Sequence, residues 1–399
     1  MTRRPLVTVL ALALTAALAA PAAAERPRVF LLDGAALAAA RARVAAGEEK
    51  AAVDRLRADA DKALARRVAS VMDKTRVPPS GDKHDYTSVG PYWWPDPAKP
   101  DGLPYVNRDG QVNPDRTRTD TDAAAFGQTQ DAIETLALAW YVTRDERYAA
   151  GAAARLRAWF LDPATRMNPN LNFGQAVPGR TAGRGTGVID TTPLCDTGDA
   201  IGLLAGSRAW TEADQRGMVT WFADYLEWLR TSKLGREADA TANNHGVWFD
   251  VQVACYALFV DRPDVAKTVL GAVKARRIDP QIAADGGMPH ELKRTTSLNY
   301  TVFTLRAFFA LARLGEHVDV DLWNAAGADQ AGIRAALDYV APYADPGQKW
   351  PHPQIKPGVP ATLGPLLRRA AVVYKEPRYA ALADRHFPIA ATSRARLLR

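Results

Sequence analysis

Two stretches of the chain combine residue types that can handle a proton and an anion. The first is Asn243-Asn244-His245, and it precedes an apolar run with helical spacing. The second begins at Arg294 and ends at Tyr300, where another apolar, helix-like run opens. Both sets are predicted at helix N-termini, where unpaired N–H groups and the helix dipole favour an anion. If the two helices are neighbours with the same polarity, Asn244, His245, Arg294 and Tyr300 share one cleft.

Each of these residues also has a simpler structural explanation. Helix capping alone accounts for Asn243 and Asn244, and a position at the protein surface accounts for His245. Arg294 has an acidic neighbour, Glu291, with which to form an ion pair, and helical tyrosines are usually half-buried packing residues. Whether the four residues form a site therefore depends on whether the two helix ends meet.

The N-terminus has the pattern of a secretory signal peptide. Arg3 and Arg4 precede the apolar segment Leu6–Ala20, and three alanines follow before the first acidic residue. We expect residues 1–24 to be removed and residues 25–399 to form one periplasmic or secreted domain. No later segment is long and apolar enough to span a bilayer.

The charge of the chain indicates the kind of partner it meets. The formal net charge is +7, and loss of the two arginines in the signal leaves +5. A modestly basic exported protein suits an anionic polymer. Nucleic acid is not an expected partner, since the chain has no Lys/Arg tract with the interleaved aromatics of single-strand binders. We expect a monomer that binds an anionic polymer.

Cysteine and histidine positions give no sign of a metal or cofactor. Export permits a disulfide between Cys195 and Cys255. Cys255, however, lies within an apolar helical pattern, where a free cysteine is an ordinary core residue, so unpaired thiols are favoured. The six histidines are scattered, and no metal-ligand spacing or acidic calcium loop occurs. No metal and no cofactor are therefore predicted.

Helical periodicity recurs along the chain, whereas no stretch alternates over any length as a strand would. Helices are predicted near residues 34–72 (one or two helices), 126–142, 147–161, 196–209, 211–232, 244–260, 263–277, 297–314, 329–341, 363–374 and 377–385. Short turns join many of them, as in helical hairpins that stack into bundles, solenoids or toroids. Residues 78–120 and 162–189 have no period and are predicted to be functional loops lining one mouth. The fold class is therefore all-α.

Five motifs together extend over most of residues 80–310. They are YTSVGPYWWPDPAKPDGLPY at Tyr86–Tyr105, NLN at Asn170–Asn172, GRGTGVID at Gly183–Asp190, NNH at Asn243–His245 and PHELKRTTSLNY at Pro289–Tyr300. These motifs resemble those of the alginate-lyase-like polysaccharide lyases. The combination is specific, although each motif alone is weak. The resemblance implies an incomplete (α/α) toroid of helical hairpins whose catalytic domain spans residues 25–399, with a cleft that binds a polyuronate. It also implies catalytic roles for Asn244, His245, Arg294 and Tyr300.

The chemistry of a uronate lyase explains those four residue types. A β-elimination removes the C5 proton and expels the oxygen on C4, and it places more charge on an already negative carboxylate. Donors must meet this charge as it develops, as in an oxyanion hole. Arg294 offers a fork-shaped cation, Asn244 offers neutral N–H donors, and His245 either donates a hydrogen bond or acts as a base.

Tyr300 is predicted to handle the proton as both base and acid. Its pKa, about 10 in a free phenol, is expected to be lowered by Arg294 and by the helix end. One group in both roles suits syn elimination, which mannuronate and glucuronate share. Guluronate, epimeric at C5, needs anti elimination, for which His245 is the candidate base. The polymer and the endo or exo mode stay open.

The long loops supply candidate substrate contacts. Aromatic rings are available to stack on sugars, cations to bind carboxylates, and amides to bind hydroxyl groups. The candidates are Tyr92, Trp93, Trp94, Lys99, Arg108, Arg116, Asn170, Asn172 and Gln175, with His290 and Glu291 from the stretch before Tyr300. Alternatively, Trp93 and Trp94 anchor the first loop onto the helices, because tryptophans are mostly buried.

Two other classes of function are compatible with the residues alone. A glycoside hydrolase would use a pair of carboxylates, and the available ones are Asp190, Asp196, Asp199, Asp250 and Glu291. The third class is a polyuronate-binding protein without catalysis. The product separates the three, since a lyase alone creates a C4=C5 double bond that absorbs ultraviolet light.

Overall fold

The structure, a computed structural model, describes residues 26–117, 120–327 and 331–398. The predicted signal peptide, residues 1–24, lies outside the described residues. Helices dominate this part of the chain. They are α1 Gly34–Ala45, α2 Lys50–Ala65, α3 Ala123–Thr143, α4 Glu146–Leu156, α5 Leu194–Leu203, α6 Glu212–Thr231, α7 Lys233–Asp239, α8 Asn244–Phe259, α9 Pro263–Val273, α10 Asp279–Gln281, α11 Pro289–Leu292, α12 Ser297–Gly315, α13 Ile333–Val340, α14 Leu363–Val373 and α15 Pro377–His386.

Neighbouring helices pack as antiparallel hairpins, among them α3 with α4, α8 with α9, and α14 with α15. α8 is buried continuously from Gly246 to Phe259. A helix that is apolar on all sides must be covered on all sides, and α8 contacts α5, α6, α7, α9 and α12. The hairpins form an incomplete (α/α) toroid, so the predicted all-α fold class is confirmed. The covering of α8 fixes where its N-terminus, with Asn244 and His245, must lie.

Several predicted helices differ in their bounds from the observed ones; the predicted helix 196–209, for example, corresponds to α5 Leu194–Leu203. The region 34–72 contains two helices, and the second ends at Ala65. The predicted helix 211–232 is followed directly by α7, which the periodicity missed. Ser232 separates the two, because it ends α6 and its side-chain oxygen accepts a hydrogen bond from Gly235 N at 2.9 Å as the N-cap of α7.

The two long loops contain short strands that the sequence pattern did not reveal. β1 (Thr87–Val89) pairs in parallel with β4 (Phe173–Ala176), and β2 (Trp93–Trp94) pairs antiparallel with β3 (Val106–Asn107). Strands of two to four residues are too short to show alternation. The β1–β4 pair joins the first long loop to the second, so the loops are held together instead of being two independent segments.

Glycines allow the second loop to cross itself closely. A Cβ on Gly183 would lie 2.0 Å from the carbonyl oxygen of Asn172, and a Cβ on Gly187 would lie 2.3 Å from that of Gly174. Both contacts are with backbone, which cannot move aside as a flexible side chain would. The glycines of the GRGTGVID motif therefore fix the path of the chain on either side of Arg184.

The remaining sequence predictions concern thiols, membranes and metals. Cys195 and Cys255 are both free and buried, with Cys255 Sγ donating to the Cys195 carbonyl at 3.9 Å. Among the described residues, no helix is long and apolar enough to cross a membrane. Those residues also contain no group of three or more His, Cys, Asp or Glu placed to hold a metal ion.

Candidate active site

A cavity of about 740 Å³ opens where the N-termini of α8 and α12 meet the two long loops. α8 and α12 pack against each other, and both present their first turns to this cavity. The structure therefore brings Asn244, His245, Arg294 and Tyr300 into one cleft. Of the predicted substrate contacts, the cavity wall also includes Tyr92, Trp93, Gln175 and Arg116.

The first turn of α8 is fixed by a cap and by a buried carboxylate. Asn243 is the N-cap, and its side-chain oxygen accepts from His245 N at 3.1 Å. Glu291 accepts from Asn244 N at 2.8 Å and from Asn244 Nδ2 at 2.9 and 3.0 Å. Asn244 is fully buried and Glu291 is 1% exposed. Glu291 was predicted to bind substrate, but its oxygens are engaged by Asn244, so it positions Asn244 instead.

The amide of Asn244 can face Glu291 in one orientation only. A carboxylate accepts hydrogen bonds and cannot donate them, so the nitrogen of the amide must be on its side. The two carboxylate oxygens lie close together compared with the splay of the two amide hydrogens, so one N–H serves both. The other N–H of Asn244 has no partner among the described residues, and Asn244 lines the cavity.

His245 is a neutral imidazole in this site. Burial lowers its pKa to about 4, and the positive charges of Arg184 and Arg294 contribute in the same direction. Its buried Nδ1 has no hydrogen-bond partner among the described residues. A buried polar atom without a partner is uncommon in proteins and is typical of a functional site.

At the N-terminus of α12, Arg294 lies flat against Tyr300. The guanidinium carbon is 3.6 Å from the centre of the Tyr300 ring, a cation–π contact. The fork of Arg294 is directed at Asp109, with Nε 3.1 Å from each carboxylate oxygen and Nη2 donating to Oδ1. Asp109 also accepts from Thr295 N at 3.1 Å. The fork predicted to bind a substrate carboxylate is thus occupied by a carboxylate of the protein.

The hydroxyl groups of Tyr300 and Tyr92 are 2.5 Å apart and share a hydrogen bond. Burial and the Tyr92 hydroxyl raise the pKa of Tyr300 above its ordinary value, although Arg294 acts in the opposite direction. The predicted lowering of the Tyr300 pKa is therefore wrong for this structure, because desolvation outweighs the nearby cation. Tyr300 is a neutral phenol at neutral pH.

The second loop contributes a buried carboxylate with four donors around it. Asp190 accepts from Tyr86 at 3.1 Å, Ser88 at 2.6 Å, Arg116 at 2.8 Å and Gln175 at 2.8 Å. Burial opposes its charge, but Arg116 and these donors hold the pKa of Asp190 below its usual value. Asp190 is therefore ionised at neutral pH and holds these four donors in place at the cavity. Arg116 is one of them, so it is engaged by Asp190.

Other predicted contacts lie outside the cavity wall. Lys99, Asn172 and His290 are exposed on the surface, and Asn172 accepts a hydrogen bond from Trp228 Nε1 at 3.1 Å. Asn170 donates to Asp85 at 3.0 Å and so ties the two loops together. These residues follow the loops away from the helix ends, which sequence proximity to the motifs did not reveal.

The two tryptophans of the first loop have different positions. Trp93 lines the cavity, with the guanidinium of Arg184 5.7 Å from its ring. Trp94 lies outside the cavity wall, where it stacks with Arg108 at 5.1 Å and donates from Nε1 to the Gln111 carbonyl at 2.9 Å. The expectation that both tryptophans bind sugar is not supported for Trp94, which anchors the loop.

Four charged residues of the cavity were not predicted as site residues. They are Asp109, Arg184, Arg306 and Lys356. Arg184 belongs to the GRGTGVID motif, so this motif was the available clue. The other three had no comparable signal, because single charged residues in a loop or a helix are common.

Comparison with known proteins identifies the family to which this fold belongs. The sequence profile of the alginate lyase family matches residues 70–350. An alginate lyase from Bacteroides ovatus is 39% identical, with a TM-score of 0.90 over 93% of this chain and 99% of that chain. No protein with a curated description is similar to this chain.

More distant structures share the fold. Alginate lyase A1-III from a Sphingomonas species is 18% identical, with a TM-score of 0.56 over 89% of this chain and 91% of that chain. A variant of A1-III complexed with a tetrasaccharide is 17% identical, with a TM-score of 0.58 over 90% and 91%. The chain belongs to the alginate lyase family. It is a polysaccharide lyase.

Proposed function

We propose that this lyase cleaves alginate and related 1,4-linked polyuronates by β-elimination in the cavity between α8 and α12. The observation that carries the proposal is the grouping of Tyr300, Arg294, His245 and Asn244 at two helix N-termini. The names of the similar proteins support alginate as the substrate. Glucuronan has the same stereochemistry at C4 and C5 as polymannuronate and is the second substrate to test.

Tyr300 is assigned the proton transfers in the syn reaction of mannuronate. The phenol must first lose its proton, and the phenolate is then stabilised by Arg294 over the ring and by the Tyr92 hydroxyl. The phenolate takes the C5 proton, and the phenol that results protonates the departing oxygen on C4. Arg294 thereby acts on Tyr300 more directly than on the substrate.

His245 is assigned the base in the anti reaction that guluronate requires. Its imidazole is neutral and its Nδ1 is free of protein partners among the described residues. Tyr300, a neutral phenol, is then already in the form that an acid needs. Each group thus has the protonation state of its role before substrate arrives.

Asn244 is assigned to the charge that develops on the substrate carboxylate. Its second N–H points away from Glu291, and loss of one such donor costs ~10²–10³ in turnover in enzymes where a comparable donor was removed. The backbone N–H groups at the start of α8 reinforce the preference for an anion.

The alternative hypothesis, a glycoside hydrolase, has little support in this cavity. Among the described lining residues the carboxylates are Asp109 and Asp190, and each is paired with an arginine. A glycosidase needs one carboxylic acid to donate a proton, whereas the charge of Arg116 and the hydrogen bonds to Asp190 outweigh its burial and hold its pKa below the usual value. Of the other candidates, Asp250 pairs with Arg277 at 2.7 Å, and Asp199 accepts from the backbone of residues 30–32.

The experiment is a panel of purified polymannuronate, polyguluronate and glucuronan, followed by the ultraviolet absorbance of the unsaturated product. We expect absorbance to rise with at least polymannuronate. New reducing ends without absorbance would indicate hydrolysis instead, and binding without either product would indicate a polyuronate-binding protein.

A further inference from the structure

The cavity contains more positive charge than its own carboxylates neutralise. Among its described lining residues are five cations and two carboxylates. The cations are Arg116, Arg184, Arg294, Arg306 and Lys356, and the carboxylates are Asp109 and Asp190. The carboxylates are already paired, Asp109 with Arg294 and Asp190 with Arg116. Arg184, Arg306 and Lys356 are therefore the lining cations left to attract an anion that enters.

Arg184 is the best placed of those three. It donates from Nε to the Gln175 carbonyl at 3.1 Å and from Nη2 to Gln175 Oε1 at 2.7 Å, so its protein partners are neutral. Its Nη1 has no partner among the described residues. Burial lowers the pKa of Arg184 and outweighs the opposing charge of Asp190, while Arg116 adds to the lowering. The charge of Arg184 is therefore only partly balanced by the protein. Of the nearby charges, Arg184 has the largest effect on the pKa of His245.

The protein provides a shaped seat for this guanidinium. A Cβ on Gly90 would lie 2.9 Å from Arg184 Nη2, so Gly90 leaves the room that the side chain needs. Gly185 allows the backbone beside Arg184 to pass α7, since a Cβ there would lie 2.6 Å from the Cβ of Glu237. By contrast, Lys356 and Arg306 are exposed and therefore more strongly screened by water and salt.

We propose that Arg184 binds the carboxylate of the uronate at the cleavage position, through Nη1 and together with the second N–H of Asn244. This inference rests on the proposed function and assigns the role expected for Arg294 to a different arginine. In this arrangement Arg294 stabilises the Tyr300 phenolate, and Arg184 binds the substrate carboxylate.

The test compares Arg184→Gln and Arg184→Lys with Arg306→Gln, a matched removal of charge from the same cavity. Polymannuronate and its methyl ester are the substrates. Loss of a hydrogen bond to a charged group predicts that Arg184→Gln lowers kcat/KM about 10- to 100-fold on the free acid. The loss on the ester should be much smaller, because the ester has no carboxylate charge. Arg184→Lys should recover little, since lysine lacks the planar fork.

Two further measurements separate this role from a structural one. In a Tyr300→Phe background, which we expect to bind without turnover, calorimetry with a mannuronate trisaccharide should show weaker binding for Arg184→Gln. NMR should show the pKa of His245 rising, because Arg184, Arg294 and Asp190 are the charges acting on it and one cation is removed. Equal losses on acid and ester, or unchanged trisaccharide affinity, overturn the proposal. If wild type makes no unsaturated product from any polyuronate, the proposed function fails, while the binding measurement still decides the role of Arg184.

Discussion

Two arginines that line the site have different surroundings. We call the group Asp109, Arg294 and Tyr300 the first wall, and the group Arg184 and Gln175 the second wall. In the first wall, Arg294 is paired with Asp109 and stacked on Tyr300, so its charge is balanced by a counter-ion of the protein. In the second wall, the hydrogen-bond partners of Arg184 among the described residues are the neutral carbonyl and amide oxygens of Gln175. A paired cation sets the properties of the residue it touches, whereas a cation without a counter-ion attracts an anion from solution. The first wall therefore tunes the proton-transfer group, and the second wall selects the substrate.

The largest effect on turnover should come from removing the hydroxyl group of Tyr300. Tyr300→Phe deletes one oxygen, and a group acting as both base and acid should cost at least the ~10²–10⁴-fold typical of general acid–base catalysis. Turnover is measured by ultraviolet absorbance and binding by calorimetry, which should show retained affinity. Tyr92→Phe, which removes only the hydrogen-bond partner at 2.5 Å, should lose less. A Tyr300→Phe rate above about a tenth of wild type removes Tyr300 from this role.

The protonation states of His245 and Tyr300 predict different pH profiles for two polymers. His245 has a pKa of about 4, so it is a base throughout the neutral range. Tyr300 has a raised pKa and stays an acid there. Cleavage of polyguluronate, with His245 as base, should be nearly flat from about pH 5 to about pH 9.

Cleavage of polymannuronate needs the Tyr300 phenolate and should rise up to ~tenfold per pH unit over the same range. Initial rates on both polymers at constant ionic strength test this difference. Parallel profiles for the two polymers would show that one group is the base in both reactions.

Breaking the ion pair of the first wall should make the two walls more alike. Asp109→Asn keeps the shape but removes the charge that holds Arg294, at an expected cost of about 10- to 100-fold in kcat, the range for one hydrogen bond to a charged group. KM should change little, because Arg184 is untouched. Asp101→Asn, an exposed carboxylate of the same loop, is the control. A rise in KM without loss of kcat would assign Arg294 to the substrate after all.

The elements that position the site were largely readable from the sequence, because long helices leave a periodic signal. Capping residues before two apolar runs predicted that Asn244 and Tyr300 lie in first turns, and both do. The short strands β1 to β4 were missed, since two to four residues carry no periodicity. They join the loops, and they decide which loop side chains reach the cavity.

Charge balance inside the cavity was beyond sequence reasoning for a different reason. Asp109 and Arg294 are 185 residues apart in the chain, and nothing local signals their pairing. The pKa of Tyr300 was mispredicted because a sequence shows the neighbouring arginine but not the burial that outweighs it. Lys99 and His290 were chosen by residue type near a motif, while exposure depends on the path of the loop.

The smallest expected effect concerns Glu291, which lies behind the cavity. Burial raises its pKa, while the hydrogen bonds from Asn244 act against this rise, and its ionised form fixes the Asn244 amide nitrogen beside it. Glu291→Gln keeps the volume but can donate as well as accept, so the Asn244 amide is free to turn its oxygen toward the substrate carboxylate. We expect kcat on polymannuronate to fall about tenfold, the effect of losing one hydrogen bond of ordinary strength.

His290→Ala, one residue away and exposed, is the matched control and should retain wild-type kinetics. Thermal unfolding of both variants checks that the fold persists. On the methyl ester the cost of Glu291→Gln should shrink, since an amide oxygen facing a neutral ester is repelled less than one facing a carboxylate. If His290→Ala loses as much activity as Glu291→Gln, the α11 segment contacts substrate directly, and the distinction drawn between its buried and exposed residues is wrong.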